Sequence, residues 1–211
     1  MPSSPTDWDA KYRATSGSRD DPPAGIVQEL LPLLPQTGAA LDVACGAGRH
    51  SVLLASAGYF VTAVDWSSAA IELLENSCLK AGSHPQRVNS LCAVHRAERQ
   101  GIQLLQANLE QLHLPSERYD LVLCVNYLQR TLFPKLVRAL RPRGFLIFET
   151  FTRARLEFPG GPRNPAYHLD IGELRDAFPE LNIIFYRELR AGQGVASLLA
   201  QKPGSKMAPK A

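Results

Sequence analysis

The sequence predicts an α/β fold: a Rossmann-like, doubly wound sheet of seven strands, mostly parallel, closed by a C-terminal antiparallel hairpin. Three observations predict it. Residues 39–44 form a short apolar run carrying one acid, Asp42, which breaks into Cys45-Gly46-Ala47-Gly48; beyond the break, Leu53, Leu54 and Ala57 share one helical face. Strand, glycine loop, helix is the opening unit of a doubly wound nucleotide-binding sheet. Residues 119–125, YDLVLCV, are almost continuously apolar, as a strand buried on both faces of a parallel sheet must be. Residues 181–188 and 195–201 read as strands joined by a short glycine turn. So short a link cannot make a crossover, so that pair is antiparallel.

The elements follow in order. The first five residues read as disordered, and 6–14 as a short helix with Thr6 and Asp9 at capping-box spacing. Residues 16–23 are a polar loop. Ile26, Leu30 and Leu33 set helical periodicity over 24–34, which Pro32 and Pro35 end. Strand 39–44 leads to helix 49–56, capped by Gly58. Strand 60–64 ends at Asp65, and helix 68–80 is stopped by Gly82 and Pro85. Val88, Leu91, Cys92 and His95 recur at helical spacing, so 86–100 is expected to hold a further helix. Strands 102–106 and 119–125 follow, then a helix over about 129–140, a turn at Arg141-Pro142-Arg143-Gly144 and strand 145–150. A long loop, 152–168, contains PGGPRNP, and Asp170 with Glu173 is expected to cap the next helix. This is one domain, 1–203, with N-terminal lid helices over about 6–34 and a flexible basic tail, 204–211.

Composition narrows the function. The 211 residues carry a formal charge of +3 with basic residues dispersed, so a nucleic-acid partner is not expected. Cys45, Cys78, Cys92 and Cys124 lack metal-ligand pairing, no metal site is expected, and small buried thiols suit a reducing compartment. No leader-like or membrane-spanning run is visible, and a cytoplasmic location with no membrane partner is expected.

A glycine loop after a first strand could serve NAD, FAD or S-adenosylmethionine. The dinucleotide fingerprint wants a third small glycine-like residue, and here Gly46-x-Gly48 is followed by Ser51. Asp42, just before the loop, is placed to anchor loop amides and to offset a sulfonium charge. Asp65, at the end of the second strand, is placed to accept from both ribose hydroxyls. That last feature is shared with NAD enzymes. The closing antiparallel pair and the single domain favour S-adenosylmethionine.

LDVACGAGR (41–49), VTAVDWS (61–67), QANLEQLHLP (106–115) and YDLVLCV (119–125) resemble the motifs of class I S-adenosylmethionine-dependent methyltransferases. The resemblance covers roughly 6–201. WDAKY, VDWS and ETF…GGPRNP resemble the small bacterial methyltransferases grouped with the tellurite-resistance enzymes. The resemblance implies that Gly46 and Gly48 line the methionine portion, that Asp65 holds the ribose and that Trp66 packs on the adenine face, with Ala44 and Arg49 also among the cofactor-binding residues. Asn108 and Leu109 would meet the adenine edge, where the family usually has Asp in place of Asn108; an Asn oxygen still accepts from an amino group, without charge assistance. The opening helix would be a lid, with Tyr12 or Lys11 near the cofactor carboxylate. His50, beside the glycine loop, reads as a helix-start residue.

Methyl transfer from a sulfonium is an in-line displacement in which the protein chiefly aligns nucleophile and methyl. A base is needed only where the nucleophile carries its proton at neutral pH. The segment after the fourth strand, Asn126-Tyr127-Leu128-Gln129-Arg130, would face the methyl, with Asn126 at the cofactor and Tyr127 and Arg130 as candidate catalytic groups. The N-P-P-Y type segment of amide and adenine-amino methyltransferases is absent. Loop 152–168 offers His168 as a candidate base, and Arg153, Arg155 and Arg163 as candidate anion holders. The expected reaction is methylation of a small-molecule acceptor, a thiol or chalcogen oxyanion among the choices. The alternatives are a macromolecular acceptor (tRNA or protein), a non-catalytic S-adenosylmethionine-binding protein and an NAD-dependent oxidoreductase.

Overall fold

The structure is a computed structural model that describes residues 4–14, 21–91, 101–190 and 193–204. Eight strands form one sheet in the order β3-β4-β2-β1-β5-β6-β8-β7. They are β1 (Gly38–Val43), β2 (Tyr59–Asp65), β3 (Gln86–Arg87), β4 (Gly101–Gln106), β5 (Tyr119–Val125), β6 (Leu140–Phe151), β7 (Asn182–Leu189) and β8 (Val195–Gln201). The strands from β3 to β6 pair in parallel, while β8 pairs antiparallel with both β6 and β7. The expected fold is therefore present with one strand more than the seven read from the sequence. The addition is β3, two exposed residues that pair with β4. Val88 extends that ladder by donating to the Leu104 carbonyl at 3.0 Å. A helix therefore does not begin at 86; Cys92 and His95 lie outside the described residues.

The helices are α1 (Pro5–Ala14), α2 (Gly25–Leu30), α3 (Arg49–Ser56), α4 (Ser68–Lys80), α5 (Phe133–Ala139) and α6 (Glu173–Asp176). One face of the sheet packs on Ile26, Val27, Leu54, Ile71 and Leu74 from α2, α3 and α4. The other packs on Phe133, Leu136, Leu174 and Phe178 from α5, α6 and their flanks. Burial on both faces explains why β1, β2 and β5 read as apolar runs. Between β1 and β5 the connections leave in opposite directions, and the crevice of such a sheet opens at the carboxyl ends of those strands.

Several boundaries differ from expectation for local reasons. The first helix starts at Pro5, and its box is made by Ser4 and Asp7: the Asp7 amide donates to Ser4 Oγ and the Ser4 amide to Asp7 Oδ2, both at 3.2 Å. The helix over 24–34 tightens into a 3-10 turn at Leu31–Leu33. The one expected near 129 begins as a 3-10 turn, Arg130–Leu132, before α5. Arg141-Pro142-Arg143-Gly144 is not a turn but an irregular stretch inside β6, where the register with β5 shifts. Two 3-10 turns, Arg153–Glu157 and Pro165–Tyr167, fill the long loop. At α6, Glu173 accepts from the Asp170 amide at 2.8 Å, but Asp170 turns its own carboxylate to Arg153. Cys45, Cys78 and Cys124 are buried thiols. Among the described residues there is no metal-ligand cluster, and no helix long and apolar enough to cross a membrane.

Candidate functional site

At the end of β1 the chain turns through Ala44 (φ 55), Gly46 (φ 56) and Gly48 (φ 83) into α3. The Cys45 amide donates to the Val64 carbonyl at 3.0 Å, which ties this bend to β2. Asp65 ends β2 beside it. Its Oδ2 accepts from the Gly46 amide at 2.8 Å and its Oδ1 from the Ser67 amide at 2.9 Å. One carboxylate thus clasps the glycine loop and the entry to α4. Burial pushes its proton affinity up, against the pull of those amides.

Asp42 was expected to anchor the loop amides, and it does not. It accepts from Ser51 Oγ on α3 at 2.6 Å. Fully buried, it is pushed up to about 7, first by desolvation and further by nearby Asp65. Neither acid forms an ion pair among the described residues. Two buried carboxylates without an ion-paired base suit a cationic ligand.

The remaining expected residues surround this clasp unevenly. Trp66 is half-buried, and its carbonyl is met by Gln106 Nε2 at 3.5 Å. The Ala107 amide donates to the Asp65 carbonyl at 2.9 Å, holding Asn108 next to it. Asn108 Oδ1 accepts from the Glu110 amide at 3.0 Å, an Asx turn that occupies one lone pair. Leu109 is a core side chain, so only its backbone can reach a ligand. Asn126 is exposed, left-handed (φ 59), and bonded through its amide to the Glu149 carbonyl at 2.8 Å. Tyr127 donates to Gln129 Oε1 at 2.6 Å, and the field of Asp65, Glu110 and Tyr167 acts on its hydroxyl at the mouth.

From above, α1 covers the loop. A Cβ on Gly46 would lie 2.6 Å from Tyr12 Oη, so only glycine admits that approach. Lys11 Nζ sits 4.5 Å over the Trp8 ring, and Trp8 stacks on Tyr12. Arg49 donates to the Pro22 carbonyl at 3.1 Å. His50 accepts at Nε2 from the Ala24 amide at 3.0 Å, and burial pushes it down to about 3: a neutral, structural histidine. Sequence reasoning missed Asp9, which leaves its own helix to bond Ser67, Ser68 and Ala69. Its one available signal was its place three residues before Tyr12.

The acceptor side is less open. Arg130 is held by both oxygens of Glu173, at 2.5 and 2.8 Å, and by the Ala166 and His168 carbonyls. It therefore braces the 165–168 turn against α6. Arg153 pairs with Asp170, Arg155 donates to the Pro159 carbonyl and Arg163 to the Leu156 carbonyl. These three arginines hold the loop itself. His168 is buried, with Nδ1 2.9 Å from the Asn164 carbonyl. A carbonyl only accepts, so Nδ1 is the donor; among the described residues Nε2 has no partner.

Comparison with known proteins bears on the family and the fold. Residues 41–148 match the family described as "Methyltransferase domain". YqeM of Bacillus subtilis (strain 168) is 28% identical over 132 residues, 58% of this chain and 46% of that protein. The chain spans about half the length of the curated relatives it matches. An S-adenosylmethionine-dependent methyltransferase structure from Mesorhizobium loti aligns with TM-score 0.64 at 18% identity, covering 85% of this chain and 99% of that one. TehB from Haemophilus influenzae aligns with TM-score 0.62 at 18% identity, covering 94% and 67%. At such identities the structural likeness shows the fold. The matched core, 41–148, places this chain in the methyltransferase domain family.

Proposed function

We propose that this chain transfers a methyl group from S-adenosylmethionine to a small-molecule acceptor. The observation that carries the reading is the Asp65 clasp: one buried carboxylate, at the carboxyl end of β2, bonded to both the Gly46 and Ser67 amides. Each carboxylate oxygen keeps a second acceptor site, which can take a ribose hydroxyl. Trp66 offers a half-exposed ring for the adenine face. The bend 44–48 and Tyr12 border the place for the methionine portion, with Arg49 at the start of α3 beside it.

The sulfonium supplies a methyl group on a good leaving group. The chain's task is to align an acceptor in front of it and to exclude water, which can lower a barrier by on the order of 7–11 kcal/mol. Tyr127 and Asn126 stand at the mouth where an acceptor would approach. A thiolate or a chalcogen oxyanion needs no base there. For an acceptor that carries a proton, Nε2 of His168 is the group able to receive it, once the 152–168 loop admits the acceptor.

Calorimetry with S-adenosylmethionine and S-adenosylhomocysteine tests the reading, with Asp65→Ala expected to weaken both by at least tenfold. Equal affinity in that variant removes the ribose assignment. A screen for S-adenosylhomocysteine release, run with small thiols, chalcogen oxyanions, hydroxyls, bulk tRNA and protein, decides the acceptor. In that screen, turnover confined to tRNA or protein overturns the small-molecule reading.

A further inference from the structure

Helix α1 carries Tyr12 over the glycine loop, yet none of its residues is buried. Its 10 residues fall short of the roughly 12–15 that an isolated helix needs in water. Apolar cover is partial, shared by the half-buried Trp8 and Tyr12, and the polar contacts of Asp9 add a tether to α4. Asp9 Oδ1 accepts from Ser67 Oγ at 2.5 Å and from the Ala69 amide at 3.1 Å, and Oδ2 accepts from Ser68 Oγ at 3.1 Å. Its carboxylate stands at the N-terminus of α4, a 13-residue helix, where negative charge is favoured. The bond from Ser67 holds its proton affinity below the ordinary carboxylate range, so Asp9 stays charged.

Ser67 is also a joint. Its Oγ caps α4 by accepting from the Ala70 amide at 3.1 Å, and its own amide reaches Asp65 Oδ1 at 2.9 Å. Asp65 Oδ2 in turn holds Gly46, and Gly46 lies under Tyr12. Tyr12 and Asp9 are three residues apart, so they share one face of α1. The path Asp9–Ser67–Asp65–Gly46–Tyr12 closes on itself.

We propose that Asp9 is a positioning residue, a latch whose bonds to 67–69 hold α1 over the glycine loop and set how fast an adenosyl ligand leaves. The proposal rests on the methyltransferase reading of the crevice, and it concerns release rather than recognition. Asp9 meets Ser67 at its hydroxyl whereas Asp65 holds its amide, so substituting Asp9 leaves the Asp65 bonds to Ser67 and Gly46 in place. Affinity changes of this kind appear mainly in the dissociation rate, and losing hydrogen bonds to a charged group is worth about tenfold or more.

Stopped-flow displacement of S-adenosylhomocysteine gives the test. Asp9→Ala is expected to raise the dissociation rate about tenfold, with the association rate changed less than twofold. Asp9→Asn keeps one acceptor oxygen and loses the charge, so about threefold is expected. A lower melting temperature of the ligand-free variant with an unchanged dissociation rate makes Asp9 a fold-stabilising residue only and overturns the latch. Should Asp9→Ala fail to fold, an unchanged rate in Asp9→Asn overturns it equally. Wild-type protein that binds no S-adenosylhomocysteine overturns the functional reading, and the latch with it; wild-type binding with unaltered variants overturns the latch alone.

Discussion

Asp42 shows how one residue can carry a recognisable motif and a different task. Side chains along a strand alternate between faces. In β1, Ala40 belongs to the face packed by α3 and α4, whereas Leu41 and Val43 belong to the other. Asp42 shares Ala40's parity, so it points at Ser51 on α3. The consequence is a pH dependence with a definite sign. Below about pH 3, under both values, the acid is largely protonated whether the chain is folded or not. Between its ordinary value of 3.8 and about 7, the folded state keeps the proton and the unfolded state releases it. Its contribution to stability therefore falls as pH rises through that window and is level above it. Asp42→Asn keeps an acceptor for Ser51 and removes the titration. The margin of its melting temperature over wild type should be smallest below about pH 3, grow up to about pH 7 and stay constant above that. A margin independent of pH in thermal melts would contradict the burial of this acid. Asp65 and Gly46, by contrast, were legible. Their juxtaposition follows from a carboxylate at a strand end and from a bend that needs backbone without a Cβ. Asp9 and Ser67 were not, since nothing in a sequence says which helix end a side chain from another helix will cap.

Packing between elements explains the second glycine. Gly48 (φ 83) starts α3, and a Cβ there would fall 2.1 Å from Cδ1 and 2.7 Å from both Cδ2 and Cγ of Leu74, a fully buried side chain of α4. Three atoms of one core side chain cannot all step aside within a packed interior. Gly48→Ala adds the left-handed backbone cost to overpacking, and about 2–4 kcal/mol of stability should be lost. Leu74→Ala on its own leaves a cavity, but combined with Gly48→Ala it should recover part of that loss. Chemical denaturation of the two single variants and the double variant measures the coupling, and strict additivity would separate Gly48 from α4. At this scale the strands buried on both faces were readable from their apolar runs. β3 was not, because two exposed polar residues carry no pattern and their extended form comes from pairing with β4. The start of β6 was hidden for a related reason: Arg-Pro-Arg-Gly has turn chemistry, and only the irregular register beside β5 admits it to a strand.

Across the whole molecule, the crevice collects residues that the chain keeps far apart: Tyr12 on α1, Gly46 after β1, Asp65 after β2, Asn126 after β5. None of these can be in place until β1 has found both β2 and β5, its two parallel neighbours. A ligand held there binds the folded chain and has no site on the unfolded one, so binding must appear as stability. At a concentration about a hundredfold above its dissociation constant, such a ligand adds about 2.7 kcal/mol. In a domain of this size, where 1 kcal/mol moves the midpoint roughly 2–4 °C, S-adenosylhomocysteine should raise the melting temperature by roughly 5–11 °C. Asp65→Ala, binding tenfold more weakly, should retain about half of that shift at the same concentration, since the stabilisation grows with the logarithm of the ratio of ligand concentration to dissociation constant. NADH should produce no comparable shift. A rise with NADH and none with S-adenosylhomocysteine would move the crevice to dinucleotide chemistry, because the glycine bend and the strand-end acid are common to both cofactors and only the ligand itself distinguishes them.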